Sequence, residues 1–162
     1  MLRKLYLVPV LALLALPALA SAQFEAGNYE MRLSGSGSND QDFRTFDISL
    51  NLGLGYFTTK EMEIGVRQGL IYGDGGSTWS GQTQVFADYH FDMDRWQPYI
   101  GANVGYVYGD NVADAWIAGP EIGVKYFVNS TTFIAATVQY VLPFDSDNDE
   151  FWQYSVAVGW KW

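Results

Sequence analysis

The sequence predicts an all-β fold: an eight-stranded antiparallel up-and-down transmembrane β-barrel, preceded by a cleaved signal peptide. Three observations predict it. Residues 1–22 have the layout of an export signal. The rest of the chain divides into segments of ~10 residues with a period of two, separated by turn residues, as strands crossing a bilayer do. The last segment, Phe151 to Trp162, sets Trp152, Tyr154, Val156, Val158, Trp160 and Trp162 on every second position, with Gln153, Ser155, Ala157, Gly159 and Lys161 between them. Side chains alternate faces along a strand, so one face of this segment is wholly apolar and aromatic-ended. Lipid outside the strand accounts for such a face.

Arg3 and Lys4 form a basic start, Leu5 to Leu19 an apolar run, and Ala20-Ser21-Ala22 a small-residue cleavage site. The run is short for a spanning helix and contains Pro9 and Pro17. The expected organisation is a signal peptide at 1–22 and one barrel domain at 23–162. The chain has no cysteine, which excludes disulfides and a lipid-anchored cysteine. Its 18 acidic residues outnumber its 9 basic ones, and two of those bases, Arg3 and Lys4, lie in the export signal. Such a charge argues against nucleic acid as a partner. No later stretch approaches the ~20 apolar residues of a spanning helix. Residence in a membrane therefore requires a closed barrel, because lipid cannot satisfy free backbone groups.

The first strand sets Tyr29, Met31 and Leu33 against Glu30, Arg32 and Ser34. The second opposes Phe46, Ile48, Leu50, Leu52, Leu54 and Tyr56 to Asp47, Ser49, Asn51, Gly53 and Gly55. The third has Met62, Ile64, Val66, Leu70 and Tyr72 on one face and Glu63, Gly65, Arg67 and Gly69 on the other. In the fourth, Trp79, Val85, Ala87, Tyr89 and Phe91 oppose Gln82, Gln84, Asp88 and His90. The fifth pairs Trp96, Ile100, Ala102, Val104, Tyr106 and Tyr108 with Gln97, Gly101, Asn103 and Gly105. Trp116, Ala118, Ile122, Val124 and Tyr126 face away from Gly119, Glu121, Gly123 and Lys125 in the sixth. Ile134, Ala136, Val138, Tyr140, Leu142 and Phe144 give the apolar face of the seventh, and the C-terminal segment is the eighth.

The connections alternate in character. Gly35 to Asp42, Gly73 to Ser77, Gly109 to Asp114 and Asp145 to Glu150 are rich in Gly, Ser, Asn and Asp, whereas Thr58 to Glu61, Asp92 to Arg95 and Asn129 to Thr131 are tighter. With an even strand count both termini fall on one side, by convention the periplasm. The first set then forms short outer loops and the second the inner turns.

A lipocalin-like barrel also has eight strands, but turns its apolar face inward around a ligand. A barrel surface in water is dense in Lys, Glu and Asp. Here the polar face reads as largely Gly, Ser, Thr, Asn and Gln, small enough for a narrow lumen, and Trp and Tyr gather near strand ends as in an interfacial girdle. Lipid outside is the favoured arrangement, with a soluble lipocalin-like carrier as its structural rival.

The signal peptide, the amphipathic strands, the short turns and the end Val156-Ala157-Val158-Gly159-Trp160-Lys161-Trp162 resemble small outer-membrane β-barrels of the OmpA/OmpX-like class. The resemblance spans the mature chain and is architectural. It implies location in the cell outer membrane among lipid and lipopolysaccharide. It also implies that the last strand (Tyr154, Val156, Val158, Trp160, Trp162) is the signal read by the barrel-assembly machinery. Phenylalanine is the commoner final residue in that class, so Trp162 is a small departure.

An eight-stranded barrel is just wide enough to be filled by side chains. The face assignment puts Glu30, Asp47, Glu63, Asp88 and Glu121 inside with Arg32, Arg67, Lys125 and Lys161, and buried charges must be paired. Glu30, Arg32, Arg67 and Glu121 are expected to form a central cluster, each being taken as near the middle of its strand. Such a cluster acts either as a salt-bridged plug, the favoured reading, or as the filter of an ion-selective pore.

His90 is the sole histidine. Eight-stranded barrel enzymes that deacylate or acylate lipid A pair a histidine with a serine, but His90 is followed by Phe91 and Asp92, with no nucleophile to activate. It is expected to be a hydrogen-bonded residue of the lumen or rim. Asp145, Asp147 and Asp149 resemble the opening of a calcium loop, but Glu150 stands where that loop needs glycine, so a solvated acidic loop is favoured.

The sequence thus points to a monomeric outer-membrane barrel without enzymatic activity, cofactor or metal, serving a structural or surface role in the envelope. A narrow channel for ions or small solutes and a surface-binding module of the OmpX kind remain open.

Overall fold

A computed structural model describes residues 24–39, 46–73, 78–110, 114–144 and 150–162. The expected signal peptide, most of the outer loops and Asp145, Asp147 and Asp149 lie outside these residues. Eight strands follow in order: β1 Tyr29–Asn39, β2 Phe46–Phe57, β3 Met62–Gly73, β4 Thr78–His90, β5 Trp96–Gly109, β6 Ala115–Phe127, β7 Thr132–Pro143 and β8 Phe151–Lys161. Each pairs antiparallel with the next, and β8 returns to β1, so the sheet is a closed up-and-down barrel. Closure removes the free edges that an open sheet would expose. β1 is longer than the sequence suggested. Gly35 to Asn39 continue the strand against Leu50 to Phe46.

The dyad pattern emerges as two faces. Outward side chains such as Leu50, Val66, Val85, Ile100, Ile122 and Val156 are exposed, while Glu30, Glu63, Asp88, Glu121 and Lys125 point inward and are buried. This is the reverse of a water-soluble barrel, whose apolar side chains would be the buried set.

Above and below the aliphatic belt, aromatics meet in directly opposed cross-strand pairs. At the end holding the C-terminus, Tyr29 faces Tyr56 and Trp96 faces Tyr126. At the other end Tyr72 faces Trp79, Tyr106 faces Trp116 and Tyr140 faces Trp152. Opposed rings stabilise the ladder at both rims. The outer face is not wholly apolar. Gln68, Thr83 and Tyr108 satisfy one another across β3, β4 and β5, with Thr83 Oγ1 donating to Gln68 Oε1 at 2.7 Å and Gln68 Nε2 to the Tyr108 hydroxyl at 3.0 Å.

The inward face departs from the small polar lining the sequence suggested. Phe57, Phe86, Tyr99, Ile117, Phe127, Phe133 and Val141 all point into the barrel and are buried. Room comes from glycines opposite: Gly65 faces Phe86, Gly123 faces Tyr99 and Gly159 faces Phe133. A Cβ on any of these glycines would collide with the ring. The glycines are thus sockets for large inward side chains, and their number on the polar face had suggested an emptier lumen.

Candidate functional site

The site is the lumen itself, filled in layers. At its base, Phe24 precedes the first strand and enters the barrel. The turn that brings it there is closed by Asn28 N donating to Glu25 O and Gly27 N to Phe57 O, at 3.1 and 2.8 Å. Gly27 has a φ of 94°, a left-handed conformation that glycine adopts without steric cost. The Phe24 ring stacks on Phe57 at 3.8 Å and meets Phe127 and Phe133 edge-on at 5.2 and 6.2 Å. Nothing in the strand periodicity points to Phe24, because it belongs to no strand.

The next layer is ionic. Lys125 Nζ donates to Glu30 Oε2 at 2.5 Å and to Glu63 Oε2 at 2.8 Å, and all three side chains are inaccessible to solvent. The same ammonium lies 4.8 Å from the Phe24 ring centre and 5.3 Å from those of Phe57 and Phe133. It joins the aromatic base to the charged layer, with carboxylates on one side and ring faces on the other.

Arg32 Nε meets Glu30 at 2.7 Å, and its terminal nitrogen lies 3.4 Å from Glu63 and 3.8 Å from Asp88. Arg67 makes a two-pronged bond to Glu121, with Nη1 donating to Oε2 at 2.8 Å and Nη2 to Oε1, and lies 3.5 Å from Asp88. Both guanidinium groups pack on the Phe86 ring, at 4.9 and 4.1 Å from its centre. Glu121 also accepts from Asn103 at 2.7 Å and Gln139 at 3.1 Å.

Glu30, Arg32, Arg67 and Glu121 therefore lie in one network, in which Asp88 links the Arg32 group to the Arg67–Glu121 pair. Glu63, Asp88 and Lys125 complete it. The sequence analysis placed these three in the lumen without assigning them to the cluster. Their common height follows from cross-strand register: Glu63 faces Asp88 directly, and Glu121 and Asp88 share Gly101 as a neighbour. Mid-strand position is not the reason for the grouping. Glu30 is the second residue of β1 and Glu63 the second of β3, so the layer extends towards the end of the barrel that holds the C-terminus.

Lys161, expected inside the lumen but not in the cluster, lies at the base. Its Nζ lies 5.5 and 5.6 Å from the Phe24 and Phe127 ring centres. The side chain of Asp47, also expected in the lumen, lies outside the described residues.

His90 is buried between Phe24, Phe57 and Tyr99, with ring centres 5.7, 5.1 and 5.1 Å away. Among the described residues neither of its nitrogens has a hydrogen-bond partner, contrary to expectation, and Nε2 lies 3.4 Å from Glu63 Oε2. It is a packing element of the base. Tyr154, Val156, Val158 and Trp160 of β8, and Trp162 just past its end, are exposed on the outer side, and the Trp162 ring stacks with Tyr29 at 6.1 Å.

Above the charges the lumen opens into a cavity of about 220 Å³, lined by hydroxyl and amide side chains that include Asn51, Gln82, Gln139 and Gln153. The filling is thus asymmetric, with rings and ion pairs in one half and a polar cavity in the other.

No family model matches the chain, and no curated protein matches its sequence. Solved structures match its fold. The N-terminal β-barrel domain of OprF from Pseudomonas aeruginosa aligns with a TM-score of 0.64 at 17% identity, covering 86% of this chain and 100% of that one. The outer-membrane protein OprG from Pseudomonas aeruginosa aligns with a TM-score of 0.59 at 16% identity, covering 87% of this chain and 98% of that one. The chain has the fold of small outer-membrane β-barrels.

Proposed function

We propose that the chain is an integral outer-membrane β-barrel with a structural role in the envelope, its lumen plugged by its own side chains. The observation that carries this reading is the layered filling of the lumen inside a wall whose outward face is apolar. An apolar wall belongs in lipid, because only there is its exposure free of the ~25 cal/mol per Å² cost of meeting water. The fold shared with a protein named for the outer membrane supports the location.

In this reading residues 1–22 direct export and are removed, and the outward residues of β8 present the C-terminal signal to the assembly machinery. The barrel stands as a monomer among lipid and lipopolysaccharide. His90 lacks a nucleophile beside it, and no catalytic step is assigned to it.

Membrane fractionation of the expressed full chain, followed by tryptophan quenching with lipids brominated along the acyl chain, tests the location. Recovery in the outer membrane with strong quenching is expected. A soluble protein whose tryptophans are unquenched would return the chain to the lipocalin-like alternative.

A further inference from the structure

The cavity above the ionic layer has a floor of matched charges. Arg67 is held by Glu121 and Asp88, and Arg32 by Glu30, Glu63 and Asp88. Both guanidinium groups reach the lining, but neither has charge to spare for a ligand. Towards the end away from the C-terminus the lumen stays open. Ile71 lies on the inward face of β3, two residues beyond Gly69 of the lining and opposite Ser49, and it is 49% exposed. The cavity is a blind vestibule that solvent enters from the outer side.

The walls above that floor are polar and uncharged. β7 and β8 set Gln139 directly opposite Gln153 and Thr137 opposite Ser155, and all four line the cavity. Asn51 of β2 and Gln82 of β4 line it too. Thr137 is engaged with the Tyr99 hydroxyl, and Gln139 Nε2 with Glu121. The carbonyl oxygens of Gln139 and Gln153, by contrast, have no partner among the described residues, and Gln139 is 7% exposed. Directly opposed side chains have Cβ atoms ~4.5–5.5 Å apart, so these two acceptors are neighbours. A buried acceptor without a donor costs free energy. Two neighbouring ones are matched by hydroxyl groups on neighbouring carbons.

We propose that this vestibule is a binding site, open to the outer side, for a small uncharged polyol of monosaccharide size. Adjacent hydroxyls of the ligand donate to Gln139 and Gln153, and the amides of Asn51 and Gln82 meet its other hydroxyls. The cavity, about 220 Å³, admits one such ring. An acid or an amine would lose its hydration and find every counter-charge on the floor already taken, so charge is selected against. The site rests on the plugged-barrel reading above, because the ligand binds without passing through.

The test uses the mature barrel in lipid nanodiscs prepared without sugar-headed detergent, each preparation first checked for protease-resistant insertion. Saturation-transfer NMR reads binding of D-glucose, D-galactose and myo-inositol, with glucuronate and glucosamine as charged analogues and empty nanodiscs as background. At least one uncharged ring should bind saturably, with a Kd at least tenfold below that of either charged analogue. Gln153→Leu removes one acceptor of the pair and should weaken that binding at least fivefold. Gly53→Val fills the floor, where a Cβ makes ordinary contacts of 3.5 and 3.6 Å with Arg32 and Arg67, and should abolish it.

Inserted barrels that bind none of the three uncharged rings, that bind the charged analogues equally well, or that bind undiminished in both variants would overturn the site alone. Loss in Gly53→Val without loss in Gln153→Leu would overturn the paired-amide contact. A bound polyol that also leaks through the barrel from sealed liposomes would overturn the blind floor, and with it the plugged-barrel reading. Failure of the unmodified chain to insert would instead overturn the membrane reading.

Discussion

Lys125 shows how a single residue holds the lumen shut. Its side chain is inaccessible to solvent, and its ammonium meets two carboxylates within 2.8 Å and a cage of rings, so the protein itself supplies its counter-charge. Lys125→Met leaves Glu30 and Glu63 facing each other with Arg32 as their remaining cation, and should cost about 3–5 kcal/mol. Arg67→Ala breaks the two-pronged bond to Glu121, but Asn103 and Gln139 still donate to that carboxylate. Its cost should be a few kcal/mol and smaller than that of Lys125→Met. Urea unfolding of the bilayer-refolded variants measures both, and wild-type midpoints would remove the ionic layer from any account of stability. A double replacement of Glu30 and Lys125 by apolar residues should recover part of the loss, since a buried pair is costly to break and cheap to replace.

At the level of the element, the wall and the base respond to different changes. Ile122 and Val156 point outward from mid-belt positions, so Ile122→Arg or Val156→Arg should each cost ~2–4 kcal/mol in lipid. Equal stability in lipid would mean that the facing is inverted. The N-terminal turn is a separate element. Phe24→Ala removes a ring stacked on Phe57 and should cost about 3 kcal/mol in the same unfolding experiment.

The strands were legible because a period of two survives any tertiary context that keeps one face in lipid and the other inside. Phe24 was not legible, because its place depends on a turn and on the empty socket that Phe57, Phe127 and Phe133 leave. The inward aromatics were hidden for a related reason. Phe86, Tyr99 and Phe133 break the small-polar pattern of their faces, and become intelligible once register sets Gly65, Gly123 and Gly159 opposite them. The charged network was half legible. Alternation placed its members inside the barrel, but their grouping required the stagger between strands.

For the whole molecule, strand number decides what the lumen can be. Eight strands leave a bore that side chains can fill, and here rings and ion pairs fill one half of it. A lumen closed by its own side chains passes neither ions nor small solutes, and flux through liposomes carrying the refolded mature barrel measures this. Flux no greater than in empty liposomes is expected for a protein shown to be folded in the bilayer. A rise is expected when Phe24 and Lys125 are replaced together by alanine. Steady flux through the unaltered barrel, changed in ion selectivity by Arg67→Ala or Glu121→Gln, would contradict a closed lumen and make the charged layer the filter of a small channel.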